Sequence, residues 1–315
     1  MMPGPIHDFI GKSQFHAGLL LGVVLALVGA VYGFAARRRG RPARPIGGLL
    51  VGLGFAVGIA ATTALPLSVA LGFVLLGLGG FVAGYLGGVD RALVSTALAV
   101  PGAIALSTHT GAHRAYWVAP LAIITVVCAA PLTADFDRRF GVRGGPLVLY
   151  AVSVVGVFYA VPNTARALVL LGVALPIALL GWPIALARLG QAGSYVAVGA
   201  LVWVATYEGR GRDAATIGAI ACLGLLVVEP AARALRRGRD TVVERWSNSR
   251  WGVAGAVLVQ LVLVLVASRV AGIRHATGTA ALVVVIEMST AVLVLWRFDL
   301  SAGSRQDRGR AHTSR

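Results

Sequence analysis

The sequence predicts an all-α fold, a polytopic transmembrane bundle of about eleven helices, and three observations carry that prediction. The first is composition. Of 315 residues 57% are hydrophobic and only 13% are charged, with a mean hydropathy of +0.83. A soluble domain carries about 25% charged residues, so this chain lacks the charge to cover a water-facing surface of its size. The second is the succession of apolar runs, several near the roughly 20 residues that one crossing requires. The third is the placement of the basic residues, which fall between those runs and not along one soluble face.

In chain order, residues 1–15 form a short N-terminal segment expected outside the membrane. The run 16–36 is longer than the 7–15 residues of a secretory h-region, so it reads as a retained helix. The stretch 46–88 is too long for one crossing, and Pro66 after Thr62 and Thr63 marks a hairpin between the second and third helices. The fourth helix spans 92–107, with Pro101 as a kink. The fifth, 116–133, ends in a charged segment at 135–143. The sixth covers 146–161 and the seventh 166–187, interrupted at Pro176 and Pro183. The eighth, 193–207, is short, and the ninth runs 213–228. The longest loop, 231–250, precedes the tenth and eleventh helices at 251–268 and 279–296. The membrane domain is thus 16–296, followed by a polar tail, 297–315, expected to be disordered and cytoplasmic.

With the N-terminus outside and the C-terminus inside, the inner segments hold 21 of the 28 basic residues and the outer segments 7. That threefold bias satisfies the positive-inside rule and points to a cell inner (cytoplasmic) membrane protein. The net charge of +16 therefore does not imply nucleic acid as a partner. The two cysteines, Cys128 and Cys222, lie inside apolar runs without a CxxC partner, so neither a disulfide framework nor a metal knot follows. No phosphate-binding loop, HExxH, GxSxG or dinucleotide motif occurs, and no cofactor is expected.

Chemistry concentrates at two places. Gln260 and Glu287 sit in the middles of the last two apolar runs, at nearly one depth. A polar or charged group there costs roughly 2.5–3.5 kcal/mol on insertion scales and therefore faces protein or a cavity. Glu287 reads either as a mid-depth proton acceptor and substrate-binding group, with Gln260 beside it, or as hydrogen-bonded glue between helices. The second place is Asp135-x-Asp137 with Arg138 and Arg139, a candidate inner loop for Mg²⁺ and phosphate; its plain alternative is a salt-bridged loop that fixes topology. His109 and His113, four apart, form a weaker metal or pH-sensing pair. Residues 231–250 mix arginines with Leu235, Val242, Val243 and Trp246, as in an amphipathic helix drawn to anionic lipids.

These features support a transporter or permease for a small or lipid-like molecule, lined by Glu287 and Gln260. The alternatives are a non-catalytic subunit that scaffolds a partner or a second copy through Gly-rich faces, and an enzyme acting on a lipid-linked substrate through Asp135 and Asp137. The lipid bilayer is the one partner common to all three.

Overall fold

The computed structural model describes residues 12–40, 45–85, 88–108, 117–140, 145–209, 212–235 and 250–271, and among these it contains eleven helices and no strand. They are α1 (Ser13–Arg38), α2 (Gly47–Thr62), α3 (Leu67–Tyr85), α4 (Gly88–Ser107), α5 (Val118–Phe140), α6 (Gly145–Ala160), α7 (Ala165–Gly181), α8 (Gln191–Glu208), α9 (Asp213–Ala221), α10 (Leu225–Leu235) and α11 (Arg250–Ala271). Four of them, α1, α3, α5 and α11, are individually long and apolar enough to cross a membrane, and α9 with α10 makes a fifth if the bent pair is one span. The chain is a multi-pass membrane protein.

Its surface explains why. Leu20, Leu27 and Val31 on α1, Leu71 and Val74 on α3, Leu179 on α7 and Leu258 and Leu265 on α11 are all exposed. In water such a belt would drive aggregation, whereas hydrocarbon is the solvent it matches. Small residues face inward instead. On α1 the buried positions are Phe15, Gly18, Gly22, Gly29, Gly33 and Ala36, a single stripe at helical spacing. The stripe lies along α7, and its order of contacts, Gly18 to Val169, Gly22 to Gly172 and Gly29 to Leu180, makes the two helices parallel. A Cβ on Gly18 would come 2.5 Å from the Val169 carbonyl oxygen, and one on Gly22 would come 2.8 Å from that of Gly172. Lipid supplies no hydrophobic drive between helices, so this backbone-to-backbone approach is what holds them together.

Helix α8 is the hub. It packs against α2, α3, α4, α5, α6, α7 and α9, and only Gln191, Ala192 and Tyr207 of its residues escape full burial. An α-helix that is apolar on every side belongs in the interior, which is where α8 lies. Gly48 of α2 meets the Gly193 backbone, so α2 and α8 are also joined main chain to main chain.

Helix directions fit a chain that alternates at each crossing. The contacts Ser153 to Gln260 and Gly156 to Val264 run in the same sense along α6 and α11, making these parallel. An odd number of crossings must then separate α6 from α11. With one crossing each for α7 and α8, a single crossing by α9 and α10 together satisfies this parity. The end contacts agree, since each joins segments that the arginine distribution assigns to one side. At one end the Gly47 and Gly48 amides donate to the Arg188 and Leu189 carbonyls at 2.8 and 3.0 Å. At the other, Thr108 donates to Ser68 at 3.2 Å and Arg166 pairs with Glu208.

Three expectations are corrected. The seventh helix does not continue to 187 with proline breaks: α7 carries Pro176 within it and ends at Gly181, and residues 182–190 form a folded connection in which Leu186, Ala187 and Leu189 are buried. The ninth is not continuous but is α9 and α10, bent by 59°. The segment 135–140 is the last turn and a half of α5 and not a loop, because Asp137 is needed inside. The expected helix at 279–296, the tail and most of the 231–250 loop lie outside the described residues.

Gly22→Leu is predicted to lower the thermal unfolding midpoint in detergent, because overpacking against backbone costs about 1–3 kcal/mol or more. Leu27→Ala, on the lipid face of the same helix, should change stability by less than about 0.5 kcal/mol. Equal effects from the two would refute the glycine-stripe packing.

Candidate functional site

The break between α9 and α10 lies at mid-depth. Cys222 is nine residues beyond the start of α9 and Gln260 ten beyond the start of α11, each about 14–15 Å along its helix at 1.5 Å per residue. Gly224 turns the chain with φ of +42°, a value that side-chain-bearing residues rarely adopt. A Cβ there would also stand 2.5 Å from Gln260 Oε1, so glycine is required on both counts.

Breaking a helix releases backbone groups, and in hydrocarbon no water takes them up. In a continuous helix the Leu225 amide would bond the Ala221 carbonyl, and the Cys222 carbonyl would accept from the Leu226 amide. Here the Leu225 amide donates to Gln260 Oε1 at 2.7 Å, and Gln260 Nε2 donates to the Cys222 carbonyl at 3.0 Å. One carboxamide from α11 thus replaces two missing rungs. Its second N–H reaches Ser153 Oγ on α6 at 2.9 Å, and that hydroxyl donates onward to the Leu149 carbonyl at 3.1 Å. From α5, Thr133 Oγ1 donates to the Leu226 carbonyl at 3.4 Å. Gln260 and Ser153 are both fully buried.

Gln260 was legible in the sequence as a polar group at mid-depth; its partners were not. They are Ser153, Cys222 and Leu225, while Glu287 lies outside the described residues, as do His109 and His113. Asp135 and Asp137 do not work as a pair. Two residues apart on a helix is a rotation of about 200°, so they face opposite ways. Asp135 is part-exposed and bonds Arg138 at 2.6 Å and Arg139 at 3.0 Å, one turn on in the same helix. Asp137 is 1% exposed and accepts from the Leu189 and Gly190 amides at 2.9 and 2.8 Å. These amides stand at the N-terminus of α8, where a helix dipole favours negative charge. Among the described residues, no group of three His, Cys, Asp or Glu side chains could hold a metal ion.

Sequence reasoning missed a third cluster, at the other end of α8. Glu208 accepts from the Arg166 amide at 3.1 Å and from Arg166 Nη1 at 3.2 Å, and so closes the N-terminus of α7. The guanidinium carbon lies 3.8 Å from the centre of the Tyr207 ring and 5.7 Å from that of Trp203. Trp203 in turn packs edge-on to Phe55 and Phe73 at 6.0 and 6.3 Å. No periodicity pairs residues 42 apart. The available signal was an acid, Glu208, on the last turn of a helix otherwise apolar all round, which must meet a cation or a helix end.

No protein family and no curated protein matches this chain.

Asp137→Ala is predicted to destabilise the protein by about 2–3 kcal/mol, because it orphans two buried amides. Asp135→Ala removes only part-exposed pairs within one helix and should cost less than about 1 kcal/mol. Unfolding midpoints of the two variants provide the check; comparable losses would contradict this division of roles.

Proposed function

We propose that the protein is a permease of the cytoplasmic membrane for a small or lipid-like molecule, and that the α9–α10 break is its moving part. The single observation behind this reading is the mid-depth discontinuity itself, with its freed backbone groups held by a side chain from another helix. Discontinuous helices at the bilayer centre are where secondary transporters build their sites. Gln260 is suited to such a joint: it is neutral, and its carboxamide can trade the backbone partners for a substrate's polar groups without leaving a charge behind. In this reading Glu287 contributes a proton-accepting group at similar depth, and the N-terminus faces outward as the arginine distribution indicates.

A second reading has its own support. Both fully buried acids whose partners have been traced, Asp137 and Glu208, hold helix ends, and the α1–α7 and α2–α8 contacts bring backbones together. That dense interior suits a non-catalytic scaffold for a partner or a second copy. Catalysis on a lipid-linked substrate gains no support from Asp135 and Asp137, which face apart.

The two readings separate on the buried thiol of Cys222, because the chain has only one other cysteine, Cys128. In Cys128→Ala protein in liposomes, a water-soluble maleimide should label Cys222 slowly, and Gln260→Ala should accelerate labelling at least ten-fold by loosening the break. Cys222 that stays unlabelled in both over hours would remove the hinge and leave the scaffold. Uptake of a solute panel across a pH gradient, wild type against Glu287→Gln, then tests transport itself, with loss of uptake expected in the variant.

A further inference from the structure

We propose that the end of the bundle formed by α7 and α8 carries a binding site for a small carboxylate with an apolar or aromatic body. The inference goes beyond the permease reading and does not rest on it, since it needs no movement of the break.

Two donors in the Arg166–Trp203 cluster have no acceptor. Arg166 Nε and Trp203 Nε1 are both buried, and neither makes a hydrogen bond. Trp203 is 1% exposed. Buried N–H groups in folded proteins are almost always paired, so two in one cluster call for a partner that brings acceptor oxygens.

The arginine is also pre-set for that partner. Its Nη1 is committed to Glu208, whose side chain is fully buried, and its flat face is stacked on Tyr207 at 3.8 Å. Held at these two places, the guanidinium presents its remaining edge, Nε with Nη2, in one orientation. That edge is a two-donor fork whose spacing matches the two oxygens of a carboxylate. The Arg166 side chain keeps 13% exposure while its Nε is buried, so a ligand engages the fork by displacing what covers Nε.

The surroundings select what the carboxylate is attached to. Tyr207 and Trp203 flank the guanidinium, and Phe55 and Phe73 stand behind the indole at about van der Waals contact. Rings of this kind accept a planar or apolar body and offer little to a hydrated ion such as free phosphate. The buried indole N–H is a further unpaired donor in the same cluster.

Benzoate is a suitable probe. With the protein in phosphatidylcholine nanodiscs, benzoate should raise the unfolding temperature saturably, and benzamide, of the same shape without the charge, should bind at least ten-fold more weakly. Trp203→Phe keeps an aromatic ring and removes the N–H together with the pyrrole half of the indole; it should weaken benzoate about three- to ten-fold. Arg166→Gln with Glu208→Gln removes both charges together, so no lone buried charge is left, and should weaken binding roughly ten- to hundred-fold. Absence of a saturable shift with benzoate would overturn the proposal. So would equal affinity for benzamide, or unchanged benzoate affinity in Trp203→Phe. A shift produced by adding phosphatidylglycerol to the discs, with none from benzoate, would assign the fork to a lipid phosphate and likewise reject a carboxylate site.

Discussion

At three buried helix ends in this bundle, a side chain from a different helix supplies the closing hydrogen bonds. Asp137 of α5 takes the amides at the start of α8, Glu208 of α8 takes the amide at the start of α7, and Gln260 of α11 takes the two ends of the α9–α10 break. The constraint behind all three is the absence of water in hydrocarbon, where each unsatisfied backbone group costs several kcal/mol. A soluble protein can leave the first amides of a helix to solvent. Here these three termini have a dedicated polar residue each, while the start of α2 uses the Arg188 and Leu189 carbonyls, and such bonds in turn set which helices are neighbours.

That constraint also explains the sequence of the central helix. Of the residues of α8, Ser194 and Thr206 return their hydroxyls to carbonyls of their own helix, and Glu208 serves a neighbour. Apart from Gln191 at its start, the rest is apolar, aromatic or small, and Tyr150 from α6 adds a hydrogen bond to its Ala197 carbonyl at 2.9 Å. Polar atoms are therefore present in the core but directed at backbone. The break and the Arg166–Trp203 cluster differ from this background in distinct ways. At the break, backbone groups are held by a side chain that can let them go. In the cluster, two donors are held with nothing to bond.

The break and the glycine stripe occupy different parts of the molecule. Helices α1, α2, α7 and α8 are joined through glycines, at Gly18, Gly22, Gly48 and Gly193 backbone to backbone. Helices α9, α10 and α11 have close glycine contacts of their own, at Gly156 and Gly218, and add hydrogen bonds through the Gln260 carboxamide.

From the sequence alone came the class of object, the hairpin at Pro66, the positions of nearly every helix and a consistent assignment of segments to two sides. These depend on runs of local hydrophobicity and on where arginines fall, both of which are written along the chain. Gln260 too was visible, because a polar residue centred in an apolar run has a cost regardless of its neighbours. What the tertiary structure decided was every pairing. Asp137 with residues 52 and 53 positions away, Arg166 with Glu208 and Gln260 with Ser153 join distant points of the chain. The split of the ninth helix belongs with them. Nothing local makes Cys222–Gly224 break, since an apolar run with two isolated glycines, Gly218 and Gly224, still propagates as a helix by propensity. It becomes a stable break only when Gln260, 35 residues on from Leu225, is placed beside it to supply the missing hydrogen bonds.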